Sequence, residues 1–133
     1  MDGSRSRKRA ARAALACLAL LLGAPALAQP ALRVIDGDTF VLGSDRIRIA
    51  DIDTPETHPS RCAYEAELGA RATERLRQLL ARPFELQPIS RDVDRYGRKL
   101  RIVMQDGRSI GDRLVAEGLA RTWEGRRRPW CQT

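Results

Sequence analysis

Between Leu32 and Ile52, apolar and polar positions alternate in short bursts: Val34-Ile35, Thr39 to Leu42 and Arg46 to Ile49, punctuated by Asp36-Gly37 and Gly43-Ser44. Bursts of this length, rich in β-branched residues and separated by two-residue turn signals, predict three short antiparallel strands. In the third, Ile47 and Ile49 alternate with Arg46 and Arg48, which places both arginines on the face opposite the isoleucines. The period then changes. Pro55 and Pro59 mark a loop, after which Tyr64, Leu68, Ala72, Leu76 and Leu80 recur every four residues and predict a helix over 63–81, stopped by Pro83. Glu67 and Arg71 can pair on its exposed face.

Phe84 to Ile89 and Lys99 to Met104 read as two further strands around a polar loop from Arg91 to Arg98. Asp106-Gly107 turns the chain into a second helix, with Ser109 as N-cap, Asp112 three residues on, an apolar stripe of Ile110, Leu114 and Val115, and Gly118 at its end. Three strands, a helix, two strands and a helix make an α+β chain, mainly β. The order fits a five-stranded Greek-key barrel of the OB type with two packed helices, a fold whose curved face commonly receives nucleic acid or sugar chains. There is no internal repeat and no low-complexity linker.

The start of the chain follows a different rule. Arg5, Arg7, Lys8, Arg9 and Arg12 precede an apolar run from Ala13 to Leu22, and Ala26-Leu27-Ala28 supplies small residues at cleavage spacing. This is the pattern of a secretory signal peptide over 1–28, with a mature domain over 29–133. The run is about half of the roughly 20 residues a spanning helix needs, so the mature protein is expected to be periplasmic or extracellular, without stable membrane association and monomeric by default. The flanks of Cys17 do not suit lipidation.

Removing the signal segment changes the charge: of 24 basic and 17 acidic side chains, 19 and 16 remain, so +7 becomes +3. A mild positive excess suits a polyanionic partner without singling one out. Cys62 and Cys131 remain, and an even pair in an oxidising compartment is compatible with one disulfide or with two free thiols. A bridge would close a loop of about 70 residues, worth on the order of 4 kcal/mol. With His58 as the one histidine, in a Pro-flanked polar stretch, a zinc site is not expected.

Phosphodiester hydrolysis needs carboxylates for a hard metal ion, a base for water and cations for the phosphate. Asp38 follows the first turn, Asp53 and Glu56 lie in Asp53-Thr54-Pro55-Glu56, Arg48 precedes Asp53 by five residues, and Arg98 ends Asp94-Arg95-Tyr96-Gly97-Arg98. Each has a bland alternative as a turn former, a cap or a solvated strand-edge charge. Together, the runs Val34 to Thr39, Arg48 to Glu56 and Asp94 to Arg98 resemble those of the staphylococcal nuclease (thermonuclease) family, over about residues 31 to 123.

The resemblance implies a calcium-dependent endonuclease acting on DNA and RNA with little sequence preference. Asp38 and Asp53 would ligate Ca2+ together with the carbonyl of Thr54. Glu56 would act on the attacking water. Arg48 and Arg98 would grip the scissile phosphate, Arg98 near the leaving oxygen. Arg95 and Tyr96 would contact the phosphate and sugar of a bound nucleotide. Trp123 lies near a family tyrosine that packs on the bound base, and either Trp123 or Trp130 could instead close the core. Asp51 would have a supporting or solvated role.

Two departures from the family pattern stand out. The third family helix near the C-terminus is not expected here, since the chain ends ten residues after Trp123. In its place stands Arg126-Arg127-Arg128-Pro129-Trp130-Cys131, either a solvated tail or a source of phosphate contacts, which a bridge to Cys62 could pin over the barrel. The competing readings are a catalytically silent OB module that only binds nucleic acid or another polyanion, and a disulfide-held structural or inhibitor domain. The complete set Asp38, Arg48, Asp53, Glu56 and Arg98 favours the enzyme.

Overall fold

A computed structural model of the chain describes residues 27–132, so the expected signal peptide lies almost wholly outside the described residues. Its elements are β1 (Leu32–Asp36), β2 (Thr39–Leu42), β3 (Asp45–Ile49), β4 (Ile52–Asp53), α1 (Ala63–Leu80), β5 (Glu85–Val93), β6 (Lys99–Gln105), β7 (Arg108–Ser109), α2 (Ile110–Ala116) and β8 (Arg121–Thr122). The main sheet runs β1-β2-β3-β6-β5, with β7 beside β6, and β4 pairs separately with β8. Its five long strands follow the order expected of an OB-type barrel that is open on one side.

The three N-terminal strands are antiparallel, as their turn signals require. The pairing of β3 with β6 is parallel, Ile47 opposite Lys99 and Ile49 opposite Arg101. A parallel pair needs a long crossover, and α1 with β5 supplies it. One strand boundary differs from the sequence expectation. β5 continues past Ile89 to Val93, carrying Pro88 within it. This is tolerated because β5 lies at the edge of the sheet and its pairing with β6 shifts register between Pro88 and Val93.

Tyr64 is also outside the helix stripe to which its spacing assigned it, at 59% exposure. A strict four-residue repeat rotates by about 40° per step in a helix of 3.6 residues per turn, so Tyr64 has turned away from the core by the first turn. Glu65 takes the inward position instead, buried at the helix start, where its carboxylate accepts the Arg61 N–H at 2.7 Å. Leu68, Ala72, Leu76, Leu79 and Leu80 form the buried stripe. They pack with Phe40, Ile47, Ile49, Ile52, Val103, Ile110 and Leu114 in one core, which Trp130 closes from the C-terminal side. Phe84 meets Phe40 edge-on, ring centroids 6.0 Å apart.

The second helix starts as expected: Ser109 Oγ accepts the Asp112 N–H at 3.1 Å and donates to Asp51 at 2.8 Å. Asp51 thus ties the segment after β3 to the start of α2. No helix follows α2 among the described residues, and the C-terminal segment is instead joined to the start of α1 by a Cys62–Cys131 disulfide. None of the helices among the described residues is long and apolar enough to cross a membrane.

Two glycines bring backbone close enough to α1 to position the loops that matter below. A Cβ on Gly37, in the turn before Asp38, would lie 2.8 Å from Ala72 Cβ and 2.9 Å from the Thr54 side chain. A Cβ on Gly69 would lie 2.8 Å from the Pro55 carbonyl oxygen. The β1–β2 turn and the 54–57 loop are therefore seated directly on the helix.

Overpacking at such a contact typically costs about 1–3 kcal/mol, so Gly37→Ala is expected to lower the free energy of unfolding by that amount, read as a lower urea midpoint, and an unchanged midpoint would contradict the close seating. Reducing the disulfide is expected to lower stability by on the order of 4 kcal/mol, read from urea unfolding with and without reductant. A loss below about 1 kcal/mol would mean that the bridge constrains the unfolded chain far less than a 69-residue separation implies.

Candidate active site

The strand β3 places its two arginines on the face away from Ile47 and Ile49, as the alternation predicted. Both Arg46 and Arg48 line an open cleft of about 860 Å3. The same cleft is lined by Glu56 from the 54–57 loop, by Arg91, Asp94, Arg95, Tyr96 and Arg98 from the β5–β6 region, and by Trp123, Gly125 and Arg127 from the C-terminal segment. Six arginines face two carboxylates there, so the cleft is strongly positive although the chain as a whole is only mildly so.

Behind the Arg48 guanidinium lie Asp38, Asp53 and Thr54, all nearly inaccessible, at 2%, 4% and 2% exposure. Arg48 is itself 95% buried: its Nη2 is 3.3 Å from Asp38 Oδ2 and 3.9 Å from Asp53 Oδ1, and its Nη1 donates to the Ile49 carbonyl. Asp38 is held by three neighbours. Its Oδ1 accepts the Thr39 hydroxyl at 2.9 Å, its Oδ2 accepts the Thr54 N–H at 3.2 Å, and its own N–H donates to Asp36 at 3.2 Å. Asp53 Oδ2 accepts the Trp130 indole N–H at 3.3 Å, whereas its Oδ1 is buried with no hydrogen-bond partner.

Burial raises the Asp53 carboxyl above the usual range; Arg127 and Arg48 oppose this and Asp38 adds to it. Asp36, behind the turn, is pushed up to about 6 by burial and by the adjacent Asp38. An ionised carboxylate with an unpartnered buried oxygen beside a second carboxylate is costly in a protein alone. It is the arrangement a cation relieves. The donors, two carboxylates and the Thr54 carbonyl, are hard oxygens and suit calcium or magnesium rather than zinc. Among the described residues, no three His, Cys, Asp or Glu side chains cluster as ligands. A metal held here would have Asp38 and Asp53 as its carboxylate donors.

Arg98 is aimed from the other side. Asp94 opens the turn before it and accepts the Tyr96 N–H at 2.9 Å, the Arg98 N–H at 3.0 Å and Arg98 Nε at 2.7 Å. Burial alone would raise the Asp94 carboxyl, but these hydrogen bonds and the adjoining guanidinium charge together hold it below the usual range. Arg98 Nη1 also reaches Thr39 Oγ1 at 3.4 Å, so one hydroxyl lies between Arg98 and Asp38. Tyr96 stands 65% exposed, with Arg95 and Arg98 4.8 and 5.5 Å from its ring centroid. Trp123 lies against Arg48 at 5.7 Å and keeps an open face on the cleft, while Trp130 is the tryptophan that closes the core.

All the residues singled out in the sequence are thus in one neighbourhood: Arg48, Glu56, Arg95, Tyr96, Arg98 and Trp123 on the cleft, Asp38, Asp53 and Thr54 directly behind it, and Cys62 bonded to Cys131. His58 lies exposed in its loop. Two contributors were not singled out. Asp94 orients Arg98, and its place at the head of a turn with Gly97 three residues on was the available signal. Arg127 was read only as one of three tail arginines, solvated or in contact with phosphate; its pairing with Glu56 and its place 3.6 Å from Asp53 are contacts that only the chain's path across the barrel reveals.

The family model described as staphylococcal nuclease homologue matches residues 46–132, which include every site residue except Asp38 and Thr39 in the first hairpin. Micrococcal nuclease of Shigella flexneri is 37% identical over 106 residues, 74% of this chain and 56% of that protein. Thermonuclease of Staphylococcus hyicus is 34% identical over 95 residues, 68% of this chain and 56% of that protein. Endonuclease YncB of Bacillus subtilis is 38% identical over 96 residues, 67% of this chain and 44% of that protein. The chain therefore spans about half the length of the curated relatives it matches. With the family model covering well over half of the sequence, and the OB-type fold around the cleft, the chain belongs to the staphylococcal nuclease family.

Proposed function

We propose that this protein is a calcium-dependent endonuclease that hydrolyses phosphodiester bonds of DNA and RNA with little sequence preference. The observation that carries this reading is the convergence on one cleft of a partly exposed carboxylate, Glu56, with Arg48 and Arg98 around it and a buried oxygen-donor pair directly behind. The names of the relatives, micrococcal nuclease, thermonuclease and endonuclease, agree with it.

Asp38, Asp53 and the Thr54 carbonyl would hold the calcium ion, which when bound supplies Lewis-acid polarisation of the phosphate. The protein's own groups do the rest. Glu56 accepts the proton of the attacking water as its oxygen bonds to phosphorus and the bond to the leaving oxygen breaks. Arg48 and Arg98 donate to the non-bridging oxygens, where charge grows in the transition state. Their planar forks can bond two oxygens at once in a fixed geometry, which a lysine does less well. Asp94 keeps Arg98 aimed before substrate arrives, and Arg98 stands nearer the leaving oxygen.

The remaining cleft residues suit a polynucleotide with few sequence contacts. Arg95 donates to the Tyr96 hydroxyl at 2.6 Å, a pair that can meet a phosphate and its sugar. The exposed face of Trp123 offers stacking to any base, since every base has a π face. We also place the mature enzyme, residues 29–133, outside the cytoplasm as a monomer; the Cys62–Cys131 bridge supports an oxidising compartment.

Glu56→Gln is expected to lower turnover on single-stranded DNA in calcium by roughly 10²-fold or more with the fold intact. Arg98→Ala is expected to remove on the order of 3 kcal/mol of transition-state stabilisation, seen as a fall in kcat with KM much less affected. Turnover equal to wild type in either variant would contradict the role assigned to that residue.

A further inference from the structure

The C-terminal segment is fastened at both ends across the mouth of the site. At one end β8 pairs with β4, Thr122 opposite Ile52 and Arg121 opposite Asp53, and the Trp123 N–H donates to the Asp51 carbonyl at 2.8 Å. At the other end Trp130 is 92% buried and donates to Asp53, and Cys131 is bonded to Cys62. Arg121 joins the two ends, with its guanidinium 3.6 Å from the Trp130 ring centroid and Nη1 donating to the Pro129 carbonyl at 3.0 Å. Residues 123–129 are therefore a short strap between fixed points.

The strap carries three arginines, and they do not behave alike. Arg126 is exposed, and Arg128 stands 3.7 Å from Glu124 within the strap. Arg127 alone among them lines the cleft, where it pairs with Glu56 and approaches Asp53. Its side chain is 46% exposed and that of Glu56 32%, so this is a solvent-screened ion pair of the weak kind. A Glu56 so engaged must also be released before it can take a proton from water. An arriving phosphate offers the guanidinium two oxygens in fork geometry and frees the carboxylate in the same movement.

We propose that Arg127 is a substrate-phosphate ligand, acting alongside Arg48 and Arg98, delivered by the disulfide-closed strap and passed from Glu56 to a phosphate of the bound polynucleotide. The proposal rests on the nuclease reading above. It extends that reading by giving the segment that stands where a third helix was not found a direct part in substrate binding. The bridge between Cys62 and Cys131 then sets not only stability but where this guanidinium sits.

The test is binding without cleavage: fluorescence anisotropy of a labelled single-stranded deoxyoligonucleotide, in excess chelator, across a series of salt concentrations. Arg127→Ala is expected to weaken binding several-fold at low salt. It should also reduce the slope of log affinity against log salt by about 0.7, the value for one phosphate contact on a single strand. Arg127→Lys should recover most of the slope, since it keeps the charge. In a Cys62→Ser, Cys131→Ser background, adding Arg127→Ala should change little. Unchanged affinity and slope in Arg127→Ala, while wild type binds, would overturn the assignment and leave the nuclease reading standing, and tighter binding would show Arg127 to be a competitor of substrate. A wild type that binds no oligonucleotide would overturn the nuclease reading and the role of Arg127 with it.

Discussion

Asp38 and Asp53 are buried next to one another and share a single guanidinium, that of Arg48. Two carboxylates in low dielectric repel each other and lose hydration, and neither this guanidinium nor that of Arg127, 3.6 Å from Asp53 Oδ1, gives that oxygen a hydrogen bond or keeps the Asp53 carboxyl from being raised. Much of the surrounding architecture serves to hold this unfavourable grouping in place. Gly37 lets the turn before Asp38 lie against α1, Gly69 does the same for the loop after Asp53, and Thr39 and Thr54 each give Asp38 a hydrogen bond. A rigid frame around an electrostatically strained group is what a metal site requires before the metal arrives.

The C-terminal segment solves a structural problem and a chemical one with the same residues. After α2 the chain forms a strap whose apolar anchor is one tryptophan and whose covalent anchor is one disulfide. Trp130 fills the end of the core and hydrogen-bonds Asp53, so core packing and carboxylate orientation are coupled through one side chain. The same strap presents Trp123 and Arg127 to the cleft.

What the sequence disclosed was what local rules govern. The β1–β3 hairpins, the Ser109 cap, the stop at Pro83 and the shared face of Arg46 and Arg48 follow from turn chemistry and periodicity, which act over a few residues. The three site runs were legible because each sits at a strand end or turn. Contacts between distant segments were not. The parallel pairing of β3 with β6, the short β4–β8 pair and the reach of Arg127 to Glu56 depend on how the chain folds back on itself. Tyr64 misled because a four-residue repeat drifts around a helix, and the continuation of β5 to Val93 depends on a register shift against β6 that the sequence does not reveal.

The most direct measurement is hydrolysis of single-stranded DNA by the folded mature chain, residues 29–133, first in calcium, then in excess chelator, then with calcium restored. If the buried Asp38–Asp53 pair is a metal site serving the cleft, cleavage appears with calcium, disappears on chelation and returns on readdition. Equal cleavage in chelator, or none by folded protein in calcium, would contradict that account.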